Sequence, residues 1–373
     1  MTTYLNDPGA VAYARQPLLW VMTDGKSIPG ALEATVTSNS HYQADRFSAM
    51  FAINADPAYG LAWWTSRNPP MVIDIRIGLD GVWQSIFVGE VDSLRLSPDG
   101  AKVEIEGRDL SARLIEAKTQ EAFQNQTSSE IATTLAGRHG LTADVKATTT
   151  LASRYWAADY TRETAGQFSR VTTEWDLLCA LARNEGYDVW VTGTTLHFQP
   201  AVDPASTPYL VRYAPRIAGA SPRSNAIDLR LEKAFTLARD IEVVVKSFHS
   251  KQGKSFSKVA KAAGVKSATA SPAKGAVSVQ RYVFVRPNLT EDQAQKLANS
   301  LLADISKHER VIQWREPGNL ILTQRNLVRL EGTGTDFDQT YYVDTITRTI
   351  SHGGGFTMSV RAKNHNVESQ ATV

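Results

Sequence analysis

Cysteine is nearly missing from this chain of 373 residues: Cys179 stands alone. That excludes an intrachain disulfide framework and a multi-thiolate zinc site, and fits assembly in a reducing compartment. Histidine is sparse too. His41, His139, His197, His249, His308, His352 and His365 never fall three or four apart, so no helix face can offer a histidine ligand pair and no metal site is expected. No stretch approaches the roughly 18 apolar residues of a membrane span. The opening MTTYLNDPGAVAYARQ has neither the basic start nor the apolar block of a secretory signal.

Chemical motifs are lacking as well. Neither a Gly-x-Ser-x-Gly elbow, a Gly-x-x-x-x-Gly-Lys-Ser/Thr loop nor a dinucleotide Gly-x-Gly-x-x-Gly occurs. His352-Gly-Gly-Gly355 has the letters of an oxyanion-hole strand, but between two alternating runs it predicts a four-residue hairpin turn. Gly332-Thr-Gly334 lacks a following helix and predicts a loop. No cofactor and no catalytic residue is therefore expected, and the chain is expected not to be an enzyme.

What remains is ordinary globular material, 42% hydrophobic and 21% charged. The net charge of +2 is unevenly spread. Residues 206 to 285 carry fourteen Lys or Arg against four acids, hence +10; the stretch from 286 balances, and the first 205 residues carry about −8. Such asymmetry suits surfaces that meet each other or a polyanion, or simply two solvated faces.

Alternation predicts strands over 18–23, 31–37, 47–53, 71–77, 86–96 and 102–106, with Ser97-Pro-Asp-Gly100 as a hairpin turn. The period then turns helical. Ser128 to Gly137 has a helix start and Gly140 closes it; Thr173 to Glu185 carries Leu177, Leu178 and Leu181 on one stripe, ends at Gly186 and leads into a strand pair around Thr192-Gly193-Thr194. Alternation returns at 226–231 and 241–248, and a helix is predicted from Thr290 to about His308. Residues 249–276 are Lys, Ala, Ser and Gly rich without one acid, which predicts a mobile loop or a segment that orders only on a partner.

The two β regions match at one offset. A shift of 255 carries Val88 to Val343, Val91 to Ile346, Val103 to Met358 and Ile105 to Val360, and lays Gly107-Arg108-Asp109 on Ala362-Lys363-Asn364. A duplicated β scaffold with arms of equal length is predicted. A cyclic trimer of such a chain would offer six similar edges to a sixfold tube.

The candidate chemistry is thin. Glu163, Glu174 and Asp176 lie near aromatics and would serve a peptidoglycan-cleaving enzyme, although acids at 174 and 176 are expected in a helix's first turn anyway. Trp63, Trp64 and Trp156 would serve a carbohydrate-binding adhesin, or fill cores. Lys251, Lys254, Lys258, Lys261 and Lys266 could meet a partner or nucleic-acid phosphates, or remain solvated.

Glu106-Gly-Arg-Asp-Leu-Ser-Ala-Arg-Leu-Ile115, Phe123 to Leu141, Thr173 to Tyr187 and Asp188 to Phe198 together resemble the phage late control D family of tail baseplate hub proteins. The resemblance implies an α+β, mainly β fold. Two tail-tube-like antiparallel barrels would occupy 1–112 and 206–366, with a small α/β domain at 113–205 between them, a helical insertion in the second barrel and a tail at 367–373. It also implies a homotrimeric ring, related to the hub part of type VI secretion spike proteins. The ring would join the tail tube and distal tail ring proteins to a central spike and other baseplate proteins. Its channel would pass the tape measure protein and then DNA. The location implied is the virion tail, assembled in the bacterial cytoplasm. Because the chain stops soon after the second barrel, the spike is expected to be a separate polypeptide.

Overall fold

A computed structural model describes the chain apart from residues 1–2, 7–15, 41, 80, 119–121, 124, 150, 153, 157–158, 162, 165–172, 204, 217–220, 234–240, 250–253, 262–279, 287–288, 307–309 and 365–373. It is mainly β, with 52% of the described residues in strands and 18% in helix. The first β region holds β1 (Leu18–Thr23), β2 (Ala31–Asn39), β3 (Arg46–Ala52), β4 (Val72–Leu79), β5 (Val82–Ser97) and β6 (Lys102–Asp109). In β3, Phe47, Ala49 and Phe51 are buried while Arg46, Ser48 and Met50 between them are not. That two-residue period sends one face into a core with Val36, Ile73, Ile75 and Ile105.

Next come α1 (Ser128–Arg138), β7 (Thr142–Val145), α2 (Glu174–Glu185), β8 (Tyr187–Thr192) and β9 (Thr195–Pro200). Thr127 and Glu130 form a capping box that starts α1, and Gly186, at φ 70, stops α2. The stripes of both helices, with Ile131, Leu135, Leu177, Leu178 and Leu181, bury against Phe198.

The second β region holds β10 (Tyr209–Ala214), β11 (Ile227–Lys233), β12 (Ile241–His249), β13 (Lys254–Lys261), β14 (Gln280–Val285), α3 (Glu291–Ser306), β15 (Arg310–Pro317), β16 (Leu327–Glu331), β17 (Thr340–Ser351) and β18 (Gly355–Asn364). The insertion is larger than a helix. β12 lies between β13 and β14, and α3 packs Ala294, Ala298 and Leu302 on Val243 and Val245. β13 overturns part of the predicted loop at 249–276. Its eight residues pair with β12 along their whole length, because Phe256 and Ala260 fall on the side that α3 covers.

The scaffold is duplicated. Sheet order β2–β3–β6–β5–β4–β1 repeats as β11–β15–β18–β17–β16–β10, with strands taken from the chain in the same succession. Each long arm has a bulge at an aspartate, Asp92 between Val91 and Ser93, and Asp344 between Val343 and Thr345. Each aspartate meets the base of the returning strand, Arg108 or Lys363. Asp109 then accepts from the backbone N–H of Asp45, and Asn364 from that of Arg310. One pairing differs, for β1 joins β4 antiparallel while β10 joins β16 parallel.

The uniform offset does not hold throughout. Val91 faces Gly107 and Val343 faces Ala362, so β17 lies 252 residues after β5 while β18 keeps the 255 shift from β6. The second hairpin is thus three residues longer. Its turn takes only residues 352–354, since Ser351 pairs with Gly355, against 98–101 in the first. The span from β16 to β17 is shorter than that from β4 to β5 by the same three residues, which restores the offset at β16.

The two expected closed barrels are also corrected. β2 pairs antiparallel with β17, so among the described residues the repeats fuse into one open sheet without a closed barrel, of fourteen strands when the two-residue strands Lys26–Ser27 and Arg223–Ser224 are included. Eight strands lie side by side in the order β11–β15–β18–β17–β2–β3–β6–β5.

Candidate functional site: a polar sheet face with two open edges

Residues opposite one another in an antiparallel pair share a face, so the register defines both sides of the eight-strand row. On one side Arg108, Arg46, Thr37, Thr347, Ser359 and Arg315 run across β6, β3, β2, β17, β18 and β15. The next row is Ser93, Glu106, Ser48, Thr35, Thr349 and Thr357. The residues named in both rows are polar, and the rows meet apolar side chains only at their β11 and β15 ends, Ile227 beside Arg315 and Pro317 beside Thr357. Two shallow depressions mark this face, one around Thr37, Arg46 and Glu106, the other around Arg230, Gln313 and Arg361. They occupy equivalent places in the two repeats.

The reverse side is core, yet it carries charge at the seam. Arg348, across from Val36, is 7% exposed, and its guanidinium donates to the carbonyls of Asn319 and Leu322. Burial lowers it to about 10. Glu316 accepts from the Tyr209 hydroxyl and from Asn319, and burial raises it to about 7. Asp45, whose Oδ1 accepts from the Asn39 N–H at 2.7 Å, is raised to about 8 by burial and then by the Asp109 charge; Asp109 itself is raised to about 6 by burial. Sequence inspection missed these groups, because a charge inside an alternating strand, or just before one as at Asp45, reads as solvent-facing. Only the shared Asp-bulge spacing could have hinted at them.

Both ends of the row are open. Among the described residues, no strand pairs with the outer edge of β11, nor with the outer edge of β5 beyond Val91. Ile227 (55% exposed), Leu231 (39%) and Leu94 (37%) lie at these edges.

The residues singled out by sequence do not converge. Glu174 is buried and paired with Arg138 and His139, tying α2 to the end of α1. Asp176 is exposed next to it, its backbone N–H donating to Thr173. The side chains of Glu163 and Trp156 lie outside the described residues. Trp64 is buried against Phe51, and Trp63 packs beside it under Arg67. Of the lysines, Lys258 bonds Glu291 on α3, Lys254 and Lys261 end β13, and Lys251 and Lys266 lie outside the described residues. Burial pushes the Cys179 thiol up to about 12. Among the described residues no cluster of three or more His, Cys, Asp or Glu could hold a metal, and no helix is long and apolar enough to cross a membrane.

In sequence, the profile of the family described as the Alg8 N-terminal domain matches residues 65–352; it is not the late control D family that the motifs resemble. No curated protein matches. In structure, the chain is similar to the tail protein from Neisseria meningitidis MC58, with a TM-score of 0.68 and 16% identity over 95% of this chain and 98% of that one. It is similar to the prophage MuSo2 43 kDa tail protein from Shewanella oneidensis, at 0.63 and 14% over 93% and 98%. A third likeness, at 0.53 and 11% over 95% and 79%, is to the E. coli c3393 protein, a type VI secretion component with structural similarity to the T4 bacteriophage tail proteins gp27 and gp5. At these identities what is shared is the fold, and it is that of phage-tail-type proteins.

Proposed function

The chain belongs to the Alg8 N-terminal domain family, and from its tail-protein fold and duplicated sheet we propose that it is a structural baseplate hub of a phage or phage-like tail, of the late control D kind. Three copies form a ring that joins the tail tube to a central spike. Its partners are the tube or distal ring proteins, the spike, other baseplate proteins and the tape measure protein, with DNA passing through. It resides in the virion tail after assembly in the bacterial cytoplasm, and it turns over no substrate.

The observation that carries this is the eight-strand row, open at both ends, with one face polar along both of its central rows. A face so poor in apolar side chains has no core to join and suits a water-filled channel. Three such rows make 24 strands. At a spacing of about 4.8 Å and a tilt of about 40° they close at a diameter of roughly 48 Å. Each copy would present two like halves, so the ring would match a sixfold tube through pseudo-sixfold symmetry.

Light scattering on the full chain, alone and with its spike, tests this. Three times the chain mass is expected, and a single chain mass at high concentration in both samples would refute it. The rival cell-wall hydrolase would rest on Glu163 or Glu174, and Glu174 is engaged in holding two helices together.

A further inference from the structure

Resting on that ring, we infer where and in what register it closes: the outer edge of β11 in one copy pairs antiparallel with the 93–97 arm of β5 in the next. The junction is already present once inside the chain. β2 and β11 hold the same place in the two repeats, as do β5 and β17, and β2 already lies antiparallel on the outer arm of β17. Filling the remaining equivalent edge gives β11 against β5, and within one chain these strands stand at opposite ends of the row.

The register follows from the pairs within the chain. Val36 faces Phe47 and Leu231 faces Ile312, while Phe47 and Ile312 face the equivalent Gly107 and Ala362; Val36 and Leu231 therefore correspond, and Thr37 corresponds to Glu232. Counting from the shared bulge, Ile346 corresponds to Leu94 and Thr347 to Arg95. Since Thr37 faces Thr347 within the chain, Glu232 must face Arg95 of the next copy, with Leu231 facing Leu96 and Lys233 facing Leu94.

The chemistry of the edges agrees with this register. Ile346 and Val36 are 0% and 1% exposed where the seam is filled, whereas Leu94 and Leu231 are 37% and 39% exposed where it is open. Closure hides both on the core side. On the channel side the threonine hydroxyl contact at Thr37 and Thr347 is replaced by opposite charges, Glu232 on Arg95. A slip of one residue would turn Leu231 into the channel and lose that ion pair, which is how a sheet with one polar face fixes its register.

Engineered cysteines test the junction. Arg95→Cys with Glu232→Cys places two thiols across it, and Arg95→Cys with Asp228→Cys is the off-register control; all three positions are exposed. Native Cys179 is buried. Within one chain the two edges are separated by seven strand spacings, roughly 30 Å, far beyond the limit of about 7 Å for a disulfide. Mild oxidation of the full chain should give a covalent species of about 123 kDa, three times 40.9 kDa, at least tenfold faster than in the control. Absence of that bond, or equal rates in both variants, in a preparation that scatters as a trimer would overturn the junction and leave the ring standing. A ladder growing past three chains would overturn closure, and a single chain mass would sink the hub reading itself.

Discussion

Replacing Asp45 with Asn should reverse part of an unusual pH dependence. The carboxyl is raised from 3.8 to about 8, first by burial and then by the Asp109 charge next to it. The folded chain therefore holds a proton that the unfolded chain releases above pH 4. Stability tied to this group is complete below that pH and is lost as pH climbs toward 8. A gap of about four units at roughly 1.4 kcal/mol each sets a ceiling near 6 kcal/mol. Partial solvent access and the nearby Arg348 guanidinium reduce it to roughly 2 kcal/mol. For a cooperative unit of this size that is roughly 5 °C in Tm. The amide oxygen introduced by Asp45→Asn can still accept from the Asn39 N–H, so the fold keeps its bond and loses only the titration. Calorimetry from pH 5 to 8 should show wild-type Tm falling and the variant falling less, with a residual decline from Asp109 and Glu316, whose values are raised in the same sense. A wild-type Tm that rises over this range, or a variant with the same decline, would refute the reasoning.

Thr127→Ala removes the capping box of α1 and should cost about 1 kcal/mol in urea denaturation, with little change in the slope; no loss would mean that the cap is redundant. On purified cell wall neither the wild type nor Glu163→Gln/Glu174→Gln should produce clearing. Clearing by the wild type that Glu163→Gln alone loses, with the urea midpoint unchanged, would establish the hydrolase instead.

Much of the fold was legible because it is written in period-two alternation and in turn and cap residues. Phe47, Ala49 and Phe51 marked a core face, Ser128 and Ser129 with Glu130 a helix start whose cap is Thr127 one residue earlier, and Gly186 a stop. The duplication showed through its spacing, but opposite three-residue changes on either side of β17 hid the true register of the long arm, since an offset measured at β16 and β18 looks constant. β13 was missed because lysine and serine outnumber its apolar residues, and only pairing with β12 under α3 makes it a strand. The fusion of two expected barrels into one sheet depends on β2 meeting β17, more than 300 residues away. No local pattern encodes such a contact. The polar face could be read as solvated surface, and only the open edges at β11 and β5 suggest that it encloses something.

An end-on image of the assembled tail tip at secondary-structure resolution tests the account most directly. Three chains contributing eight strands each to one continuous wall about 48 Å across is the predicted result. A ring of six chains, or three chains whose sheets do not touch, would contradict it.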